Sequence, residues 1–447
     1  MKLGEQLRWK PLWAGLLAAL TLRLLIGWLV SGSSQEQGAL LVAVEMIRAW
    51  WLGEELAFPG ENPLFALFWT APGYGLLVSG LSLLPGELHP VLSSLQSLAV
   101  LAAGLVVYLL VSPHSSRGLA LLAALLVWFH PSMLFFEQQL STVAVCTLLA
   151  ALVALFLFRL RGQSGSRRLQ WILGALLAPL PWLSGGGMAL VLLVAAGVPA
   201  GTRGRVLAPV SLSWLPAMLV ASLWLGAWTP MSLSVHSWIA LGNNPVVAVG
   251  QGSLVDSPEA VAVFRGALKD KCSARWTRER LRCESRSART IISATLREQP
   301  TSALRRMVFR VLQTWVPDRG LPDALAVADG RGELSGRLLR VLVALVLAPL
   351  HLGLLVGLAF AAVSARQDPR VRFLLLATLA WTMPMLVGVG ATALRQACLP
   401  WIVAAGILAI ARVGRRSGLE RRVGWQQAVP LQPSEERGEA AELEPLS

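Results

Sequence analysis

Charged residues are scarce in this sequence. Lysine, arginine, aspartate and glutamate make up only 14% of the 447 residues, whereas 55% are hydrophobic and the mean hydropathy is +0.60. A water-soluble chain of this length needs more polar surface to cover its core. The scarcity of charge therefore excludes an ordinary soluble globular protein and predicts a membrane protein.

Histidine is scarce as well. The five histidines are widely separated, and no spacing typical of a zinc site occurs. The formal net charge is +14, but the arginines are scattered over short loops and ends without interleaved aromatic residues, which argues against a nucleic-acid partner. An internal repeat is also missing, and few ionisable residues lie deep in apolar stretches, which disfavours a transporter.

Long apolar stretches, in contrast, recur along the chain. About 20 apolar residues in a helix cross a hydrocarbon core of about 30 Å. Ten stretches qualify, although two are short: 11–30, 91–111, 118–136, 140–158, 170–184, 186–200, 206–228, 338–363, 373–390 and 396–412. We therefore predict an all-α polytopic membrane protein with about ten transmembrane helices.

Positive charge marks every second connection between these stretches. Such residues favour the cytoplasmic side in short loops. The set comprises Lys2, Arg8, Lys10, Arg117, Arg159, Arg161, Arg167, Arg168, Arg203, Arg205, Arg366, Arg370, Arg372, Arg412, Arg415, Arg416, Arg421 and Arg422. This alternation predicts that both termini are cytoplasmic.

The alternation also divides the chain into parts. Residues 1–228 form an N-terminal transmembrane bundle that includes a first outer loop at 31–90. Residues 229–337 form a small extracytoplasmic subdomain, and 338–412 carry the C-terminal transmembrane helices. The tail at 413–447 contains a stretch rich in Glu, Pro and Ser, a composition typical of disorder.

Shorter helices are predicted in the two outer regions. In the first outer loop, Ala39–Leu52 and Asn62–Leu84 are predicted to lie at the membrane interface, with Tyr74 at the headgroup level. In the extracytoplasmic subdomain, Ser287–Gln299 and Thr301–Trp315 are predicted helices separated by a proline.

Glu36 and Glu137 are the candidate catalytic acids. Glu36 follows soon after the first crossing, where a carboxylate could act as general base toward an acceptor hydroxyl or could simply be a solvated loop residue. Glu137 lies in the shortest outer turn, near the hydrocarbon, so we expect it either to pair with a cation or to take part in chemistry. The sequence predicts no protein-caged metal, although the acidic outer loops could hold a divalent cation.

Two arginines and two cysteines complete the candidate residues. Arg395 is the one cation in a short outer loop, and Arg23 lies within the first crossing. Each could bind a lipid phosphate, or could extend its guanidinium to the interface. Cys272 and Cys283 could form a disulfide in an oxidising compartment, or both could be free thiols.

Several segments carry a family resemblance through their order and spacing. They are Ala71-Pro-Gly-Tyr74, Leu241-Gly-Asn-Asn-Pro245, Ala288–Pro317 and Arg395–Pro400. With these segments the chain resembles the GT-C class of membrane glycosyltransferases over most of residues 11–412. The specific resemblance is to bacterial relatives of the dolichyl-phosphate-mannose protein mannosyltransferases and the aminoarabinose–lipid A transferases.

The resemblance implies sugar transfer from a polyprenyl-phosphate donor to a lipid, glycan or protein acceptor on the outer face of the bacterial cytoplasmic membrane. It implies a base and a second acid in the outer loops, and arginines that hold the donor phosphate. Those roles would fall on Glu36, Glu137, Arg395 and Arg23. The motif that opens the outer domain, near the acceptor, would comprise Gly242, Asn243, Asn244 and Pro245.

The sequence departs from the family where its acids are expected. The usual register places Ala39 at the position of the aspartate and Thr142 at the position of a glutamate, and Leu183-Ser-Gly-Gly-Gly187 stands where Thr-Arg-Pro often occurs. These departures favour a second hypothesis. The chain could be a catalytically silent GT-C homologue that binds lipid-linked glycan or supports another envelope enzyme.

Overall fold

The computed structural model is helical almost throughout the part of the chain that it describes. The described residues are 3–30, 38–53, 72–84, 88–139, 141–162, 166–225, 272, 278–315, 333–384 and 392–416. Within these ranges no β-strand occurs, and short turns join the helices. The predicted all-α class is confirmed for these residues.

The N-terminal half of the described chain contains eleven helices. They are α1 (Leu3–Val30), α2 (Gly38–Leu52), α3 (Pro72–Leu81), α4 (Leu88–Val111), α5 (Arg117–Trp128), α6 (Pro131–Phe136), α7 (Val143–Gly162), α8 (Arg167–Leu177), α9 (Leu180–Leu183), α10 (Gly185–Gly197) and α11 (Ala200–Leu225). A 3₁₀ turn, Ser112–His114, joins α4 to α5.

The C-terminal half of the described chain adds six helices. They are α12 (Arg278–Glu298), α13 (Pro300–Thr314), α14 (Glu333–Ser364), α15 (Pro369–Thr382), α16 (Thr392–Ala397) and α17 (Leu399–Arg416). The predicted break near residue 300 is confirmed, and α12 begins nine residues before the predicted start at Ser287.

Described helices fall within each of the ten predicted stretches, of which residues 140, 226–228 and 385–390 lie outside the described residues. Three segments, Leu88–His114, Val143–Gly162 and Leu345–Ser364, are long and apolar enough to cross a membrane by length and composition. The chain is thus a helical membrane protein. The number of crossings and the side of each terminus stay predictions.

The last helix, α17, forms the centre of the bundle. It packs against α4, α5, α7, α14 and α15, and Trp401, Ala404 and Ala405 on it are buried. Small side chains let helices approach closely in a membrane. At one such crossing a Cβ built on Gly406 would lie 3.2 Å from the Cα of Gly357 in α14.

Two tryptophans fix helix registers through their indole groups. Trp128 of α5 donates a 2.9 Å hydrogen bond to the carbonyl of Leu101 in α4. Its ring also covers Gly104, where an added Cβ would lie 2.1 Å from the indole nitrogen. Trp401 donates a 2.7 Å hydrogen bond to the carbonyl of Ala150 in α7. Each bond satisfies a buried N–H and joins two helices.

Arginines from separate connections meet at one end of the bundle, which we call the arginine end (Arg161, Asp368, Arg372 and Arg412). Arg412 Nη1 lies 3.7 Å from Asp368 Oδ2, and the Arg161 guanidinium lies 5.5 Å from the centre of the Phe373 ring. Arg372 donates to the carbonyl of Ala365. The sequence predicted that these arginines share one side, and the structure brings them together.

The described helices of the first outer loop, α2 and α3, pack against each other. In α2, Val44 and Ile47 are buried while Glu45 and Arg48 are exposed, as the predicted amphipathic pattern requires. Tyr74 is 2% exposed, so its side chain packs inside the protein and does not face lipid headgroups, while its depth in the membrane stays a prediction. Its hydroxyl finds a hydrogen-bond partner there.

Candidate functional site

Opposite the arginine end, several helices bring buried polar side chains together. We call this region the polar end. It collects residues from the C-terminal half of α1, the start of α4, the α5–α6 and α6–α7 turns, and α16: Arg23, Gln96, His130, Glu137, Gln138, Arg395 and Gln396. Buried polar groups in a membrane protein need partners and mark functional regions.

Arg23 and Glu137 form a buried ion pair at the polar end. The Nε of Arg23 lies 3.0 Å from Oε2 of Glu137, and their side chains are 1% and 0% exposed. Arg23 also donates from Nη1 to the carbonyl of Ala19, one turn earlier in α1. The sequence predicted that Glu137 would either pair or react, and the structure places it in a pair.

Glu137 sits at the C-terminal end of α6, where Gln138 continues the turn toward α7. The hydroxyl of Ser93 in α4 donates a 2.6 Å hydrogen bond to the side-chain oxygen of Gln138. His89 Nε2 lies 3.0 Å from the main-chain oxygen of Gln138. The turn that carries Glu137 is thus fastened to α1 on one side and to α4 on the other.

A second buried hydrogen bond joins α3 to α4. The side-chain amide of Gln96 donates to the hydroxyl of Tyr74 at 2.7 Å, and the two residues are 1% and 2% exposed. This contact places Tyr74 of α3 against the polar end. It gives a structural role to a tyrosine that the sequence placed at the membrane surface.

Arg395 lines a recess between α14, α16 and α17. Its side chain is 4% exposed. The recess has a polar side and an apolar side: Trp315, His351, Arg395 and Gln396 with Leu354, Leu355, Leu399 and Ile402. The enclosed space is about 10 Å³, room for about one water molecule, so a larger ligand would have to displace side chains. The lining itself combines a cation with apolar side chains, the groups that an anionic head with a hydrocarbon chain would contact.

The local sequence explains why Arg395 and Gln396 face the same region. The short helix α16 ends at Ala397, and the amide of Cys398 donates to the carbonyl of Arg395. Pro400 then occupies the first turn of α17, where its missing N–H is not needed. This break turns the chain and holds both side chains at the start of the central helix.

Two histidines lie near Arg395. His351 lines the same recess, and its Nε2 is hydrogen-bonded to the carbonyl of Trp315, just after α13. His130 precedes α6 and is 5% exposed. The Nδ1 of His130 and the side-chain amide nitrogen of Gln396 are buried without a hydrogen-bond partner within the described residues. Such groups offer hydrogen bonds to a ligand.

Helix α13 adds positive charge beside this region, because it packs against α16. Arg306 and Arg310 are 5% and 1% exposed, and Arg310 Nε donates to the carbonyl of Arg306. Burial, with a smaller contribution from the neighbouring Arg306, lowers the pKa of Arg310 from 12.5 to about 10. The Arg310 guanidinium therefore stays charged at neutral pH.

Comparisons with known proteins give one structural likeness. No protein-family model matches the chain, and no curated protein matches it in sequence. Among solved structures, the chain is similar to the archaeal oligosaccharyltransferase AglB from Archaeoglobus fulgidus, solved in complex with an inhibitory peptide and a dolichol-phosphate. The TM-score is 0.35 and the identity is 15%. The alignment covers 94% of this chain and 53% of the AglB chain, so the chain spans about half of AglB.

Some predicted site residues lie outside the described residues. These are Glu36 and the segment Gly242, Asn243, Asn244 and Pro245. Of the predicted site residues that are described, Arg23 and Glu137 lie together at the polar end. Arg395 lies in a recess of the same end. The role of Glu36 stays a prediction. Within the described ranges, no three histidine, cysteine, aspartate or glutamate side chains form a metal-binding group.

Cys272 and Cys283 are joined in a disulfide, with their Cα atoms 5.7 Å apart. The bond ties residue 272 to the first half of α12, where Ala288 and Ile291 pack against it. Of the two alternatives that the sequence left open, the structure thus has the disulfide rather than two free thiols.

The sequence reasoning missed several residues of the polar end. Gln396 and Trp315 carried no pattern that separated them from neighbouring residues. His351 did carry a signal, because an ionisable residue inside an apolar span is itself a functional hint. Gln138 and Ser93 meet only after α4 and α7 have packed together.

Proposed function

We propose that this chain is a membrane glycosyltransferase of the GT-C type. It transfers a sugar from a polyprenyl-phosphate donor to a lipid, glycan or protein acceptor on the outer face of the cytoplasmic membrane of a bacterium. The observation that carries the proposal is the recess in which the buried guanidinium of Arg395 stands beside apolar side chains.

In this proposal Arg395 binds the donor phosphate. A guanidinium can bind two phosphate oxygens at once and can stabilise the charge that develops when the phosphate leaves. The amide of Gln396 supplies a further hydrogen bond, and Leu355 and Ile402 contact the first isoprenoid units of the carrier. Arg23 is assigned a different role: with Glu137 it fastens the α6–α7 turn to α1.

The chemistry requires a base near the anomeric carbon. Glu36 would accept the proton of the acceptor hydroxyl, whose oxygen attacks the anomeric carbon as the bond from that carbon to the phosphate oxygen breaks. The polyprenyl phosphate leaves with its electron pair beside Arg395. Glu137 would orient the site, since its pairing with Arg23 fastens the α6–α7 turn to α1.

Binding of polyprenyl phosphate to the purified protein in nanodiscs tests the role of Arg395. We expect Arg395→Gln to weaken binding by about 10- to 100-fold, because a charge-assisted hydrogen bond contributes about 1.5–3 kcal/mol. Arg395→Lys should recover part of the loss. Arg412→Gln, at the arginine end, is the matched control and should bind like the wild type. Equal binding by the wild type and Arg395→Gln would contradict the proposal.

One observation favours the catalytically silent homologue as a second candidate. Glu137 is fully buried against Arg23, which leaves it poorly placed to exchange a proton with a substrate. The two candidates differ in turnover. An enzyme transfers radiolabelled sugar from a polyprenyl-phosphate sugar to membrane acceptors and loses this activity in Glu36→Gln. A silent homologue binds the same donor through Arg395 without any transfer.

A further inference from the structure

Helix α13 has two arginines on its buried side and two large apolar residues on its outward side. Its buried side carries Ala303, Arg306 and Arg310. Leu304, Arg305 and Val308 point outward, and the two apolar residues are 59% and 52% exposed. Leu304 and Val308 are four residues apart, so they form one apolar strip. Such a strip is stabilised when its surroundings are apolar, because apolar surface is then removed from water.

The outward side of α12 is mainly basic. Arg286 and Arg289 are exposed, and Arg297 is exposed beside the apolar Leu296, which is 55% exposed. Exposed carboxylates on the same helix are Glu279 and Glu298. The hairpin α12–α13 therefore combines a positive surface with an apolar strip near its bend, as helices that lie in a membrane interface do.

The C-terminal end of α13 lies beside a helix that is long and apolar enough to cross a membrane. The carbonyl of Trp315, just after α13, is hydrogen-bonded to His351. His351 lies six residues inside the apolar span Leu345–Ser364, or about 9 Å along that helix. Val308 is seven residues before Trp315, about 10 Å away along α13. One end of α13 is thus held against the apolar segment of α14.

We propose that the hairpin α12–α13 is a membrane-interface element that binds anionic lipid. Leu296, Leu304 and Val308 enter the acyl region, and Arg286, Arg289 and Arg297 contact phosphate-bearing headgroups of the same leaflet. The occupant of this surface is lipid rather than protein, because its apolar strip begins beside a membrane span and its exposed charge is mainly positive. The proposal is independent of any sugar transfer.

Quenching of a fluorescent probe by spin-labelled lipid tests whether the apolar strip of α13 contacts acyl chains in the full chain. Leu304→Cys and Val308→Cys each supply one reactive thiol, since Cys146 and Cys398 are buried and Cys272 is bonded to Cys283. The variants are labelled with nitrobenzoxadiazole in nanodiscs that contain nitroxide acyl chains. Thr290→Cys, at an exposed polar position of α12, is the matched control.

We expect quenching at residues 304 and 308 to exceed that at 290 by at least about twofold. It should increase when phosphatidylglycerol replaces part of the phosphatidylcholine. Arg286→Gln with Arg289→Gln should remove that increase, and Arg286→Lys with Arg289→Lys should keep it.

Two outcomes would overturn the proposal. The first is that the probe at residues 304 and 308 is quenched no more than the probe at residue 290. If the probe at 304 and 308 is blue-shifted but unquenched, protein rather than lipid covers the strip. The second is equal quenching with and without phosphatidylglycerol, which would exclude recognition of anionic lipid.

Discussion

The two ends of the bundle hold their arginines in different ways. At the polar end, Arg23 and Arg395 are 2% and 4% exposed, and Arg23 pairs with a carboxylate at 3.0 Å. At the arginine end, the side chains of Arg412 and Asp368 are 25% and 17% exposed and lie 3.7 Å apart. Water and salt reach the second pair and scarcely reach the first.

This difference distinguishes two kinds of arginine. Exposed arginines follow the topology of the membrane protein, whereas buried arginines belong to a structural or functional site. An exposed cation at a membrane surface costs little free energy and follows the positive-inside trend. A buried cation carries a large desolvation cost, so it persists where it has a structural or functional partner. The polar end is therefore the region in which to look for function.

Removing the charge of Glu137 should lower the free energy of unfolding more than the other substitutions described below. Glu137→Gln leaves the guanidinium of Arg23 buried without its counterion, and breaking a buried pair in this way costs about 3–5 kcal/mol. The free energy of unfolding, measured by titration from mild detergent into dodecyl sulfate, should fall by this amount. Glu45→Gln removes an exposed carboxylate from α2 and is the matched control, with an expected change within about 0.5 kcal/mol.

A double-mutant cycle sharpens that result. If the loss comes from the uncompensated charge, Arg23→Gln combined with Glu137→Gln should recover most of the stability that Glu137→Gln loses. Additive losses in the double variant would show that the two side chains act independently, against the ion pair seen here.

Breaking a buried hydrogen bond between neutral groups should lower the free energy of unfolding by a smaller amount. Tyr74→Phe removes the hydroxyl that accepts from Gln96, leaving the buried amide without this partner, at a cost of about 1–3 kcal/mol. Combining Tyr74→Phe with Gln96→Leu removes the orphaned amide as well and should recover part of the loss in the same unfolding titration; the main chain of Ser141, which also contacts the hydroxyl, still loses its partner. A Tyr74→Phe protein as stable as the wild type would show that the contact contributes nothing.

The sequence predicted the helical class, the break near residue 300 and the gathering of arginines at one end, because these follow from hydropathy, proline and charge within short windows. It also singled out Arg23 and Glu137 one at a time. Their pairing could not be predicted, since 114 residues separate them and hydropathy does not set the rotation of α1 about its axis.

The same limit explains Tyr74 and the recess of Arg395. An aromatic residue in an outer loop favours the interface on average, but Gln96 of α4 supplies a buried partner that only the packed structure shows. The recess depends on α14, α16 and α17 meeting, and its apolar walls are ordinary helix residues in the sequence. Local patterns therefore located the elements and some site residues, while long-range packing decided their contacts.

The smallest effect is expected at the arginine end, from Asp368→Asn. Asparagine can still accept the 2.8 Å hydrogen bond that caps α15 from the amide of Arg370, so the change removes only the charge facing Arg412. A partly exposed pair contributes about 0.2–1 kcal/mol, and 1 M salt, where the Debye length is about 3 Å, should remove the difference from the wild type. Asp368→Ala loses the cap as well, and should cost about 1 kcal/mol more at any salt concentration. A loss in Asp368→Asn as large as that in Glu137→Gln would contradict the distinction between the two ends.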